Sequence, residues 1–396
     1  MDRVQKNTVA LHAVTFCKVI INLFVGTFLV AEIFMMTGGD VSAIGWFLLV
    51  EFSALFVLYM VASYLCKKIK PCWIVRASVL ISSGMLLAML LWPDMLESHY
   101  LLLGAVFGMA SGLFWGANNY FISRSFNKEN TTKFVAWFLG LASVARVVFP
   151  FTLGALIDLE SLYVTTVVVL GIGIIQIFAT FFIEIPVQSS RSLDMRKYFR
   201  TLKEKQFVKP TMQQWFATML KGLASYPTAT VIIILTMTVY GTHMSLGALT
   251  SVFALTSVAF IVIFRRLKGR AKIIFLCLGM VLPILASGSL LLSVGYVTVA
   301  LHQGLFMSFR KVFQSEEQSM RLNSTKFWGG EEFTLESNLL FESALFCGRM
   351  VAGLMLVIIG IIGATYLILA LTIITMTVAF SVSAFLLQRW KGKYAQ

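Results

Sequence analysis

Apolar stretches of twenty residues and more recur along this chain, separated by short polar breaks, and that pattern limits its fold more than any other feature. The stretch from Leu101 to Ile157 reads LLLGAVFGMASGLFWGANNYFI, then SRSFNKENTTK, then FVAWFLGLASVARVVFPFTLGALI. Each apolar piece is long enough for a helix to cross a hydrocarbon core of about 30 Å. The first carries small residues at Gly104, Gly108, Ser111, Gly112 and Gly116, which let helix backbones approach closely in lipid, and ends on Asn118 and Asn119. The second buries Arg146 deep in the run, followed by Pro150 and Gly154. An arginine at that depth costs about 2.5 to 3.5 kcal/mol on insertion scales, so it points to a partner or a pathway.

Hydropathy divides the chain into twelve such spans, at 9–36, 43–65, 73–92, 101–122, 134–157, 162–184, 211–240, 246–264, 273–292, 295–309, 338–362 and 366–388. With 58% hydrophobic and 13% charged residues, the composition fits an all-α polytopic membrane protein. Of 32 Lys and Arg residues, 28 fall in the N-terminus, the C-terminus and alternate connections, with Arg76 at the start of the third span counted with its connection. The intervening connections carry none, and instead hold Asp40, Asp94, Glu97, Asp158 and Glu160. The positive-inside rule then places both termini in the cytoplasm. A basic membrane face also accounts for the net charge of +14, so no nucleic-acid partner is expected. The first span has no small-residue cleavage site after it and reads as retained rather than as a signal peptide. Five cysteines stand without a CxxC pair, which indicates neither a disulfide framework nor a zinc site.

The chain is also one half written twice. Gly304-Leu305-Phe306 repeats Gly112-Leu113-Phe114, and Cys347-Gly348-Arg349-Met350-Val351 echoes Val144-Ala145-Arg146-Val147-Val148. Arg349 follows Arg146 by 203 positions, and Lys221 follows Lys18 by the same 203. Cys66-Lys67-Lys68-Ile69-Lys70-Pro71 matches Phe264-Arg265-Arg266-Leu267-Lys268-Gly269 at an offset of 198, so loop lengths differ.

Twelve spans in two equivalent halves, with basic connections after spans 2 and 8, resemble the major facilitator superfamily. So does Pro150-x-x-x-Gly154, which is similar to that family's antiporter motif. The family's loop motif runs Gly-x-x-x-Asp-Arg-x-Gly-Arg-Arg; here ASYLCKKIKPC keeps basic residues and lacks both glycines and the aspartate. The resemblance implies two pseudo-symmetric six-helix bundles, 1–184 and 211–396, joined by a cytoplasmic linker at 185–210. In the family, spans 1, 4, 7 and 10 line the cavity. That makes Lys18, Asn22, Asn118, Asn119, Lys221, His302 and Gln303 candidate substrate contacts, with Arg146 and Arg349 deep beside them.

The residues carry further expectations. Lys18 and Asn22 lie one turn apart on one face, and Lys18 stands near enough to the span's start to snorkel to the headgroups. Glu51 and Glu342 are the most deeply placed carboxylates and candidate proton-coupling groups; Glu342 and Arg349 are seven apart, on one helix face. Tyr226-Pro227 marks a kink in span 7. The linker's Met195, Phe199 and Leu202 recur at helical spacing, expected on the inner membrane surface. The connection 313–337 mixes acidic and basic residues and reads as a solvated segment.

The chemistry of an enzyme is missing its parts. His12, His99, His243 and His302 are scattered, without metal-ligand spacing, and neither GxSxG nor a Walker loop occurs. A monomeric carrier of a small anionic or amphiphilic solute, free of cofactors and seated in the plasma-membrane bilayer, is expected instead, with proton-coupled export as its mode. An uptake carrier, a flippase for lipid-linked substrates, and a polytopic membrane enzyme or receptor-like protein are the alternatives.

Overall fold

The computed structural model describes residues 3–66, 68–125, 128–183, 194–327 and 333–394. Helices account for nearly all of them. The first apolar run forms α1 (Arg3–Leu23), passes through one π turn (Phe24–Leu29), and continues as α2 (Val30–Met36). There follow α3 (Val41–Leu65), α4 (Pro71–Leu91), the short α5 (Met95–Ser98), α6 (Tyr100–Ser125), α7 (Lys128–Leu159) and α8 (Leu162–Phe181). Next come the ten-residue α9 (Met195–Glu204), then α10 (Val208–Tyr240), α11 (His243–Arg266) and α12 (Gly269–Ser289). The chain closes with α13 (Tyr296–Phe327), α14 (Thr334–Ile362) and α15 (Tyr366–Tyr394). Local chemistry sets the ends: Asp40 caps α3 through Ser42 N–H at 2.7 Å, Ser161 caps α8 through Val164 N–H, and Gly241 ends α10 at φ 73°.

Among the described residues, eleven helical stretches are long and apolar enough to cross a membrane. The twelfth expected span is the first part of α13. Its apolar length is short, and His302, Gln303, Arg310 and Lys311 make the helix as a whole amphipathic. The helix nevertheless continues to Phe327, well past the expected end at 309.

Packing groups the chain into two units, Met1–Ser192 with Thr242–Ser251, and Leu193–Gly241 with Val252–Gln396. In the first, α1 packs on α7 and α8, α4 on α6 and α8, and α3 on α6. In the second, α10 packs on α14 and α15, and α12 on α13 and α15. The duplication seen in sequence thus recurs as a packing scheme. The small-residue stripe of α6 lies along α3: a methyl group at Gly108 would strike the Glu51 carbonyl, and one at Gly112 the Leu55 carbonyl. Lipid supplies no hydrophobic drive between helices, so this backbone proximity is what gives the pair its dispersion contact.

The linker helix corrects one expectation. The apolar face of α9 packs on protein rather than on headgroups: Tyr198 and Leu202 are buried against Ala217, Phe333, Leu387 and Trp390 within the second unit. The side chains of Tyr226 and Pro227, where a kink is expected, lie outside the described residues.

Candidate functional site

In the first unit, Lys18 does not snorkel. It is 1% exposed, and its ammonium makes no hydrogen bond among the described residues. The Nζ lies 6.0 Å from the centre of the Phe114 ring on α6, and Glu51, itself buried on α3, is the carboxylate whose field reaches it. Asn118, one helical turn beyond Phe114, is buried with its Oδ1 outside any hydrogen bond. Asn119 turns elsewhere and donates to the Tyr59 hydroxyl at 3.1 Å. Asn22 is part-buried on α1. Arg146 is part-buried on α7, beside Ala145, which packs on Val19 and Ile20 of α1.

In the second unit the cations are paired. Lys221 on α10 forms an ion pair with Glu317, and Phe341 stands 5.8 Å from its Nζ. Arg349 meets Glu342 at 3.3 Å, two helical turns away on the same face of α14. His302 is buried and stacked on Phe306, centroids 5.6 Å apart; Gln303 beside it is also buried.

Glu317 was not singled out by sequence, because it falls in the stretch read as solvated. The extension of α13 overturns that reading for the residues described there. Glu317 is buried, and Glu316 takes Lys391 at 2.7 Å and Lys272 at 3.5 Å. A register count would have found it: Glu317 lies 15 residues after His302 and 14 after Gln303 on one helix, within about 60° of each around the axis, so it belongs near the same face as the span's polar pair.

A second group was also passed over. Glu32 on α2, Asp158 in the last turn of α7 and His243 at the start of α11 meet within the first unit. The signal for Glu32 was a carboxylate inside an apolar run. Nothing local pointed to its partner, 211 residues away.

Each unit therefore holds buried charge of the kind that handles a polar solute inside a membrane, and among the described residues no cluster is arranged to hold a metal. The comparisons agree with this. The model of the Major Facilitator Superfamily matches residues 11–310. The fold is similar to that of the nucleoside transporter NupG (TM-score 0.65, 14% identity, 100% of both chains covered). It is similar to a bacterial homologue of the human lysosomal transporter Spinster (TM-score 0.64, 13% identity, 99% of this chain and 97% of that one). It is also similar to the human organic anion transporter MFSD10 (TM-score 0.64, 12% identity, 98% and 100%). No curated protein matches the sequence. With the family model covering most of its length, this chain belongs to the Major Facilitator Superfamily and is a multi-pass membrane transporter, not an enzyme.

Proposed function

We propose that the protein is a secondary carrier that exports a small organic anion, or an anionic amphiphile, across the plasma membrane by alternating access. On this reading both termini face the cytoplasm, which the charge asymmetry of the connections supports. The observation that carries the reading is Lys18. An ammonium taken out of water without a hydrogen bond costs several kcal/mol, and proteins neutralise or pair such groups unless a ligand completes them. Lys221 and Arg349 have Glu317 and Glu342 at ion-pair distance. Lys18 has the field of Glu51 and an aromatic face but no ion pair or hydrogen bond among the described residues, which suits it to a carboxylate, sulfonate or phosphate group. One protein of similar fold is itself named as an organic anion transporter. Asn118, with its buried Oδ1, supplies a neutral amide close to the same helix face.

Proton coupling follows from the same neighbours. An anion reaching Lys18 competes with Glu51 for the ammonium and so favours a proton on Glu51; anion and proton then leave together, export being driven by the anion's own gradient. Pro150 and Gly154 on α7, similar to the antiporter pattern, favour export.

The test is a thermal-shift screen of the purified full chain against benzoate, citrate, taurocholate, choline and glucose. At least one anion should raise the melting temperature of the wild type, and choline and glucose should not. Lys18→Gln should lose that response while Lys221→Gln, if it folds, keeps some of it. Stabilisation by choline alone, or an undiminished anion response in Lys18→Gln, defeats the reading.

A further inference from the structure

The cluster at the start of α11 holds its own chemistry. His243 is 5% exposed, and the titratable groups facing its ring among the described residues are two carboxylates. Asp158 approaches Nδ1 at 3.1 Å from α7, and Glu32 approaches Nε2 at 3.2 Å from α2. The π turn before α2 adds only the Phe28 ring, 6.3 Å away, and Gly154 on α7 backs the His243 carbonyl. Glu160, next along the chain, is exposed.

Donors and acceptors can be counted. Ionised carboxylates only accept, and a neutral imidazole has one N–H and one lone pair. Asp158 is fixed as an acceptor, because it also takes the backbone N–H of His243 at 3.2 Å and of Met244 at 2.7 Å, capping α11. The Nδ1–H therefore belongs to Asp158. That leaves the Nε2 lone pair facing the Glu32 oxygen, two acceptors at 3.2 Å in a buried place, and Nε2 makes no other hydrogen bond. One extra proton, on Nε2 or on Glu32, turns that repulsion into attraction. We propose that Glu32, His243 and Asp158 form a proton-binding site that holds the segment Thr242–Ser251 against α2 and α7 within the first unit when the proton is bound and loosens it when the proton leaves.

With Leu246 fully buried, the segment also packs on α7 beyond the cluster. Its next contacts are Gly247 against the Pro150 carbonyl and the Ser251 hydroxyl accepting from Phe151 N–H at 3.0 Å. The site stands apart from Lys18 and needs no assumption about the substrate.

Glu32→Gln separates a proton site from an ordinary ion pair. The amide can donate to the Nε2 lone pair, so the variant satisfies the cluster without the extra proton. Hydrogen–deuterium exchange of the peptide covering 242–251 is read on the purified full chain, wild type against variant at each pH, which cancels the intrinsic rate. The two should match near about pH 5.5, and the wild type should exchange roughly tenfold faster by about pH 8.5. A constant ratio across that range, or a variant that exchanges faster at every pH, overturns the proposal. His243→Asn is the second variant: unable to hold a proton on a ring, it should show no pH dependence beyond the intrinsic rate, and wild-type-like behaviour counts against the site. Neither result alters the anion response at Lys18, so the two readings fail separately.

Discussion

In the first unit α3 lies backbone against backbone along α6, whereas in the second their counterparts α11 and α13 meet through side chains. Phe253 of α11 fills the space beside Gly304, and the Thr256 and Ser308 hydroxyls are 3.0 Å apart. The cause is in the sequence. The α6 stripe has four glycines at four-residue spacing, and α13 keeps Gly304 alone of that series. The buried lysines differ in the same way. Lys18 and Lys221 occupy matching positions, but only the second has an ion-pair partner, because α13 stays helical far enough to bring Glu317 alongside. In the register that sets Gly304 on Gly112, the first half has Ser125 where the second has Glu317. A duplicated framework thus keeps its cations and changes what neutralises them. Pairing, not position, distinguishes the two lysines.

The sharpest way to break this comparison is to remove each lysine. Lys221→Met leaves Glu317 buried without its cation and should destabilise the chain by about 3 kcal/mol. Adding Glu317→Gln should restore most of the loss. Lys18→Met removes a desolvated charge with no hydrogen bond and should leave stability equal or higher, which denaturation in detergent would measure. Equal losses for both single variants would mean that the lysines are equivalent after all.

A smaller effect separates the helix pairs. Gly112→Ala sets a methyl group against the Leu55 carbonyl and the Tyr59 backbone, and should cost about 1 to 3 kcal/mol. Gly304→Ala meets only the edge of the Phe253 ring, which can turn, and should cost about 1 kcal/mol or less. Reversal of that order would remove the distinction drawn between the two contacts.

The least effect is spectroscopic and concerns the second unit alone. Burial of Tyr198 against Phe333 and Trp390 pushes its phenol up to about 12. Its ionisation costs stability once pH rises past the ordinary tyrosine value, because the unfolded chain releases that proton first. An absorbance titration of wild type against Tyr198→Phe should show one phenolate missing until the top of the range. A difference already at about pH 10 would place α9 in solvent.

Much of the fold was legible because it depends on runs of sequence. Hydropathy located the helices to within a few residues at most ends, since lipid demands continuous apolar length and the caps are local. The glycine stripe announced a close helix contact without naming α3 as its partner, and the seven-residue spacing put Glu342 and Arg349 on one face without fixing their pairing. What stayed hidden depends on partners far along the chain or on helices that outlast their apolar stretch. Hydropathy marks where α13 leaves the core, not where it stops being a helix, and so it missed Glu317. The amphipathic face of α9 was plain, but periodicity cannot tell a headgroup from Phe333 and Trp390. Glu32 and His243 met only once α11 folded its first turns onto α2 and α7.

The π turn at Phe24–Leu29 has a consequence for steering. Lys18 and Glu32 are fourteen residues apart, which in an unbroken α-helix would set them within about 40° of one another around the axis. The wider turn accommodates one additional residue and swings everything beyond it by about 100°. The two charges thereby address different neighbours, Lys18 the Phe114 ring on α6 and Glu32 the imidazole of His243. The first membrane helix is a crank with an offset, and a conversion of that one turn to regular α-helix would carry Glu32 off His243 while Lys18 stayed in place.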